Sequence, residues 1–412
     1  MDINVIRKRV EKDLEELKQF TASHGNGCTR MPFTKETRDA AEYLKKVMRE
    51  ANLEVREDSV GNVIGLRKGL DSGKPAIVSG SHYDSVYNGG NYDGIAGVIS
   101  AIELARLLDE EGIELENDFI VVGFMDEEGT RFGTGYFGSK SILGEIEVAD
   151  TKHYLDKDGI SIYEAMKDYG LVAENIPKAK WDDGRIGAFI ELHIEQGPVL
   201  DTGKIELGLV EGIVGIQRYM FKVKGRADHA GTTPMDMRKD AVEIASKVIS
   251  KIPDKARSLE DGSVATTGFI NVIPGGMNII AQEVEFSVDI RSMKNESIEI
   301  IRDFIIDSLD MECKKVDASF DYDTKLIVEP IELDRQMLGV LEEASKERGY
   351  SYKVLPSGAG HDSLAIGQNH RAVMVFVPSK NGRSHSPEEY TDYMDIAKGI
   401  DVMYELVKKL KI

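Results

Sequence analysis

Apolar residues recur at helical spacing over the first positions of the chain, so residues 3–19 read as an amphipathic helix. Thr34 suits the N-cap of a second helix, with Ala40, Leu44, Val47, Met48 and Ala51 on one face. The pattern then shortens. Val60 to Leu66 and Pro75 to Ser79 read as strands, and a helix after Asp93 carries Ile95, Val98, Ile99, Ile102 and Ala105 to about Glu111-Gly112. Phe119–Met125, Gly187–His193 and Ala372–Val377 are continuous apolar runs, the kind buried on both faces of a mostly parallel sheet. Residues 141–184 are mixed and polar and read as helical segments with loops. Strand and helix alternate, which predicts an α/β domain whose ligands gather at the C-terminal ends of its strands.

The character changes near residue 212. Gly215 to Val223 reads as a strand, and one helix carries Ala241, Ile244, Ala245, Val248, Ile249 and Ile252. Strands at about Val264–Ile273 and Ala281–Arg291 flank the turn Pro274-Gly-Gly-Met277. A helix with Ile298, Ile301, Ile305 and Leu309 and a strand at about Asp317–Asp323 complete a β-α-β-β-α-β order. That order is ferredoxin-like. It predicts an inserted α+β domain at 213–329 within a first domain of residues 1–212 and 330–412. Helices at about 333–347 and around Ile396, Ile400, Met403 and Val407 belong to the resumed first domain.

Composition narrows the classes. A chain of 412 residues exceeds one compact core, and 41% hydrophobic content suits a globular protein. No apolar run approaches the roughly 20 residues that cross a bilayer. Residues 1–10 mix charge with apolar side chains and lack a signal-peptide core. A net charge of -20 opposes nucleic acid and anionic membrane as partners, although a pocket can differ from the bulk surface. Cys28 and Cys313 form no disulfide framework, which points to a reducing cytoplasm.

The chemistry lies where the apolar runs stop. His82, His193 and His385 end or follow predicted buried strands, and Asp93 and Glu127-Glu128 come from the same edge. One histidine among Asp and Gly is an ordinary turn; the repetition at several strand ends is what separates this chain from that reading. Three imidazoles and three or four carboxylates suffice for two divalent ions sharing a bridging carboxylate, about 3.5–4 Å apart. With no thiolate among them, Zn²⁺ or Mn²⁺ is favoured, with Co²⁺ and Ni²⁺ open.

Several motifs carry a family resemblance. They are Gly80-Ser-His-Tyr-Asp-Ser85, Asn88-Gly-Gly-Asn-Tyr-Asp-Gly94, Asp126-Glu-Glu-Gly-Thr-Arg-Phe-Gly133 and Glu191-Leu-His-Ile-Glu-Gln-Gly197. Asp228-His-Ala-Gly-Thr-Thr-Pro234, Gly358-Ala-Gly-His-Asp362 and His385-Ser-Pro387 follow in the same order. Together they resemble the hydantoinase/carbamoylase branch of the M20 dinuclear zinc peptidases, over essentially the whole chain. The resemblance implies a dinuclear catalytic domain with an inserted lid and dimerisation domain. It implies that His82, Asp93 and His193 hold one ion, and that Asp93, Glu128 and His385 hold the other. Asp84 would orient His82, and Glu127 would be the general base.

His229 is then expected to stabilise the oxyanion, reaching across a dimer interface. Gln217, Asn278 and Arg291 are expected to bind a substrate carboxylate, the guanidinium in bidentate fashion. Gly358, Gly360 and His361 would shape the pocket floor, with His361 either a substrate contact or structural.

The expected substrate is a small ureido compound with a carboxylate. The first reading is hydrolysis of N-carbamoyl-L-amino acids to ammonia, carbon dioxide and the amino acid. The second is allantoate hydrolysis. A dipeptidase or aminoacylase is disfavoured, because peptidase relatives often place a carboxylate at the position of His193. A non-catalytic binding protein on the same fold would be expected to lose Glu127 or a ligand, and both are present.

Overall fold

A computed structural model describes residues 2–412. Contacts divide the chain into two compact units, Met1–Glu211 with Leu333–Ile412, and Gly212–Glu332.

The chain opens with the helix Ile3–Leu17 and, from a Thr34 cap that accepts from the Thr37 amide, the helix Lys35–Glu50. Six strands follow: β1 (Glu54–Glu57), β2 (Val63–Arg67), β3 (Ala76–His82), β4 (Phe119–Phe124), β5 (Ile186–Ile194) and β6 (Leu207–Ile213). In the second unit come β7 (Gly215–Lys224), β8 (Val264–Thr266), β9 (Ile270–Ile273), β10 (Glu283–Ser292) and β11 (Ser319–Val328). β12 (Ile331–Glu332) comes at the end of that unit, and the returning chain adds β13 (Tyr352–Ser357) and β14 (Arg371–Val377).

The large sheet runs β1-β2-β4-β3-β5-β14-β6-β12, with β13 paired to β6. Its centre is parallel: β3 pairs β4 and β5, and β5 pairs β14. The flanks are antiparallel. Every residue of β3 and β4 is buried, as expected of strands covered on both faces. The helix Ile95–Glu110 packs on β3, β4 and β5, and itself lies beneath the first helix and the C-terminal helix Tyr393–Lys409. It is therefore buried around most of its circumference, including Glu103, which forms ion pairs with Arg9 at 2.5 Å and Arg106 at 3.2 Å.

In the second unit the sheet order is β11-β7-β10-β8, with β9 also on β10. Its core joins Phe221, Phe286, Val288 and Ile290 to Ile298, Ile301, Ile305 and Leu309 of the helix Asn295–Val316. Two expected elements are interrupted here. The helix expected to run through Ile252 stops at Ile249, and a second begins at Ile252 with Pro253, whose missing N–H is tolerated only in a first turn. The expected strand Val264–Ile273 is split into β8 and β9 around Thr267-Gly268-Phe269. β1 and β13 lack a clear apolar run: β1 is short and polar, and β13 contains Pro356 and joins the sheet only through β6.

Candidate active site

The adjacent C-terminal ends of β3, β4 and β5 bring the strand-end motifs together. β3 ends on His82 and β5 passes through His193; β4 runs into Asp126-Glu127-Glu128. The backbone of the loops around the site is held in unusual conformations. Asn88, Asp126, Gln196 and His385 all take positive φ, between 49° and 59°. Non-glycine residues held there cost energy, and they concentrate at functional sites.

Asp93 stands at the centre, and its two oxygens face different ways. Oδ1 lies 3.1 Å from His193 Nε2 and 3.5 Å from His82 Nε2. Oδ2 lies 3.2 Å from His385 Nε2 and accepts from Gln196 Nε2 at 2.8 Å and Ser384 Oγ at 3.1 Å. His385 Nε2 also lies 3.4 Å from Glu128 Oε1. Two triads thus overlap on Asp93: His82/Asp93/His193 is fully buried, and Asp93/Glu128/His385 opens to solvent through His385, 48% exposed. His82 with Glu127 and Glu128 forms a third grouping.

The donor set fits divalent cations. Within each triad one donor atom from every residue lies within 4.8 Å of the others. Asp93 Oδ1 is buried without a hydrogen-bond partner, an orphan that an ion would satisfy. Nitrogen and carboxylate donors without thiolate suit zinc or manganese. The electrostatics agree. Burial disfavours the charged form of His82, yet the carboxylates of Asp84 and Asp93 facing its two nitrogens outweigh it and hold the imidazole well above its ordinary range. His385 is pushed up to about 10, first by Asp93 and then by Glu128. Burial holds the Glu127 carboxyl well above the usual range, with His82 opposing and Glu128 and Asp362 adding to it. Imidazoles that gather protons this readily report a strongly negative lining, the field that bound cations neutralise.

The supporting contacts are specific. His82 Nδ1 lies 3.2 Å from the Asp84 carbonyl oxygen, and His193 Nδ1 lies 2.9 Å from that of Ile194, which leaves both Nε2 atoms directed at Asp93. The Asp84 carboxylate reaches His82 Nδ1 only at 3.5 Å; it accepts from the amides of Glu127 at 3.1 Å and Glu128 at 3.3 Å. Asp84 therefore fixes the glutamate turn as well as the imidazole. His361 is buried, with Nε2 3.0 Å from Ser357 Oγ and its ring 4.3 Å from that of His193. It packs beneath His193. A Cβ on Gly360 would meet the Tyr136 hydroxyl at 1.8 Å, so a larger residue there would displace that phenol.

The remaining expected residues lie in the second unit. His229 is exposed, and its Nδ1 accepts from the amides of Gly231 at 3.0 Å and Thr232 at 3.2 Å. With Nδ1 accepting, the neutral ring has Nε2 as its donor. Asn278 is its neighbour: the Asn278 carbonyl accepts from the Ala230 amide at 3.0 Å. Arg291 lies on the outer face of β10, with Nε 2.7 Å from Asp289 Oδ1.

Gln217 is placed differently from Arg291 and Asn278. It is buried on the core face of β7 with Tyr219, Phe221 and Val223, where its carboxamide oxygen accepts from the Tyr219 hydroxyl. Register pairs Gln217 with Ile290, so Arg291 projects from the opposite face of the sheet. The glutamine beside Asp93 and His385 is Gln196, which the expected set lacks.

The chain matches the model of peptidase family M20/M25/M40 over residues 78–409. It is 41% identical over 403 residues to an N-carbamoyl-L-amino-acid amidohydrolase of Paenarthrobacter aurescens, covering 98% of both chains. It is 36% identical to an allantoate amidohydrolase of Bacillus subtilis, again over 98% of both. A crystal structure of a hydantoinase/carbamoylase family amidase from Burkholderia multivorans superposes with a TM-score of 0.91 at 30% identity, covering 97% of each chain. Fold, strand-end motifs and full-length similarity together place this protein in peptidase family M20/M25/M40, within its hydantoinase/carbamoylase branch.

Proposed function

We propose that the protein is a metal-dependent amidohydrolase that cleaves the ureido C–N bond of N-carbamoyl-L-amino acids, releasing ammonia, carbon dioxide and the amino acid. The observation that carries this is the pair of triads overlapping on Asp93 with Glu127 beside them, in a chain 41% identical to a relative of that name. His82, Asp93 and His193 would hold one divalent ion, and Asp93, Glu128 and His385 the second. When bound, the ions supply Lewis acidity to a carbonyl and acidify water.

The residues do the rest. Glu127, 3.8 Å from His82 Nε2, is suited to take a proton from water and return it to the leaving nitrogen. His229, protonated on Nε2, would donate to the developing oxyanion. Arg291 and Asn278 would bind the substrate carboxylate. The second unit would serve as the ferredoxin-like lid and dimerisation domain, with His229 reaching the site across the interface of a homodimer. Its exposed Val264, Phe269 and Ile270, on and beside the short strands β8 and β9, are apolar surface that a partner would cover.

A second reading, allantoate hydrolysis, is favoured by the 36% identical relative of that name. One experiment separates them. Ammonia release is measured with Zn²⁺ or Mn²⁺ on N-carbamoyl amino acids, allantoate, β-ureidopropionate and dipeptides, with Glu127→Gln alongside. Turnover of N-carbamoyl-L-amino acids, lost by about 10²–10⁴-fold in the variant, is the expected result. No turnover on any ureido substrate overturns the function.

A further inference from the structure

We infer that Glu389 is a positioning residue for the outer ion position, Asp93/Glu128/His385, and acts little on the inner one; this rests on the proposed metal-dependent function. Glu389 is buried, 4% exposed, although it lies four residues from the exposed His385. Its Oε1 accepts two backbone N–H groups, from Tyr92 at 3.0 Å and Asp93 at 3.1 Å. Its Oε2 lies 2.9 Å from Ser384 Oγ, and Ser384 Oγ lies 3.1 Å from Asp93 Oδ2. One hydroxyl proton thus serves two carboxylates. The loop bearing Asp93 is moulded on the Glu389 carboxyl: a Cβ on Gly90 would fall 1.8 Å from its Oε1.

Glu389 thereby joins two loops nearly three hundred residues apart in sequence, one carrying Asp93 and the other His385. His385 has no rigid strand beneath it. Its φ is positive, and its contacts near the cluster are Asp93, Glu128 and Gln196. Fixing the loop at Ser384 and Glu389 is what fixes the direction of His385. The inner position is built differently. His82 and His193 sit on paired central strands, and carbonyl groups orient both rings. The Asp93 oxygen that faces them is Oδ1, whereas Ser384 touches Oδ2.

The test is ion binding, read independently of turnover. Dialysed protein is titrated with Mn²⁺ by calorimetry and counted by elemental analysis, for the parent, Glu389→Ala, Glu389→Gln and Ser384→Ala. The parent is expected to bind two ions. Glu389→Ala should keep the tighter ion and bind the second about 10–100-fold more weakly. Glu389→Gln should restore most of that affinity, because its carboxamide oxygen can accept the two amides while its NH₂ faces Ser384. Ser384→Ala should weaken the second ion by a smaller factor, and it decides the matter if Glu389→Ala fails to fold.

Parental affinity for the second ion in Glu389→Ala, or in Ser384→Ala where only that variant folds, overturns the inference. So does equal loss of both ions. A parent that binds no ion overturns the proposed function instead.

Discussion

Gln196 donates from Nε2 to Asp93 Oδ2 at 2.8 Å, and the same nitrogen lies 3.2 Å from His385 Nε2. A neutral carboxamide is therefore held between the shared carboxylate and the most exposed imidazole of the cluster. Ions on those two ligands would compete for the lone pairs that Gln196 now occupies and would leave its amide to face substrate. Gln196→Ala is expected to lower kcat/KM for an N-carbamoyl amino acid by about 10–100-fold, the worth of a hydrogen bond to a charged or reacting group. Ion content should stay at the parental level. Steady-state kinetics and elemental analysis check both.

Arg291 and Gln217 should separate cleanly. Arg291→Ala is expected to raise KM about 10-fold or more with little change in kcat, as loss of a carboxylate contact would. Gln217→Ala should leave KM alone and lower thermal stability by about 1–2 kcal/mol, because it leaves the buried Tyr219 hydroxyl without its acceptor. Kinetics and calorimetric melting distinguish the two outcomes.

Gly94 has φ +65°, and a Cβ there would lie 2.4 Å from the His82 ring. Gly94→Ala combines an unfavourable backbone conformation, costing about 1–3 kcal/mol, with displacement of the imidazole. The variant is expected to melt earlier and to bind the buried ion more weakly, as measured by Mn²⁺ titration.

Chelation should destabilise the protein without unfolding it outright at room temperature. Ions that bind only the native state add about 2.7 kcal/mol when free ion exceeds its Kd 100-fold. The melting temperature should therefore fall in EDTA and rise with Mn²⁺ concentration after dialysis. A melting curve indifferent to both would remove the ions from the proposal.

A pH effect is expected away from the cluster, at Asp58. Burial raises its carboxyl from 3.8 to about 6, against the hydrogen bonds it accepts from Val60 and Asn62. The folded state therefore holds a proton that the unfolded chain has already lost between those values. Stability from this group is fully present below about pH 4 and is lost as pH rises through 6, by at most about 3 kcal/mol. Relative to Asp58→Asn, the parent should be most stable near pH 4 and least stable near pH 7 in denaturant titrations.

The cluster was legible where apolar runs stop abruptly. His82 and His193 lie at the ends of almost wholly buried strands, and Glu127 and Glu128 follow one, so a polar residue there is conspicuous. Gln196, Ser384 and Glu389 were not legible. Each is an ordinary loop residue, and its role comes from a partner about a hundred to three hundred positions away. Gln217 is a different lesson. The period-two series Gln217, Tyr219, Phe221, Val223 marks the buried face of its strand, so its burial was legible even though its hydrogen bond to Tyr219 was not. The interrupted helix near Ile252 likewise had its marker in Pro253.

The position of β14 has a consequence in time. It lies between β5 and β6, parallel to one and antiparallel to the other, yet it is made last of the three. As the chain leaves the ribosome, β6 has no partner on its β5 side until residue 377 has emerged. The unit Gly212–Glu332 is contiguous and has all its own strands earlier. Synthesis normally favours the N-terminal body; here the interrupted one must wait, open along a seam, until a late-made strand zips it shut.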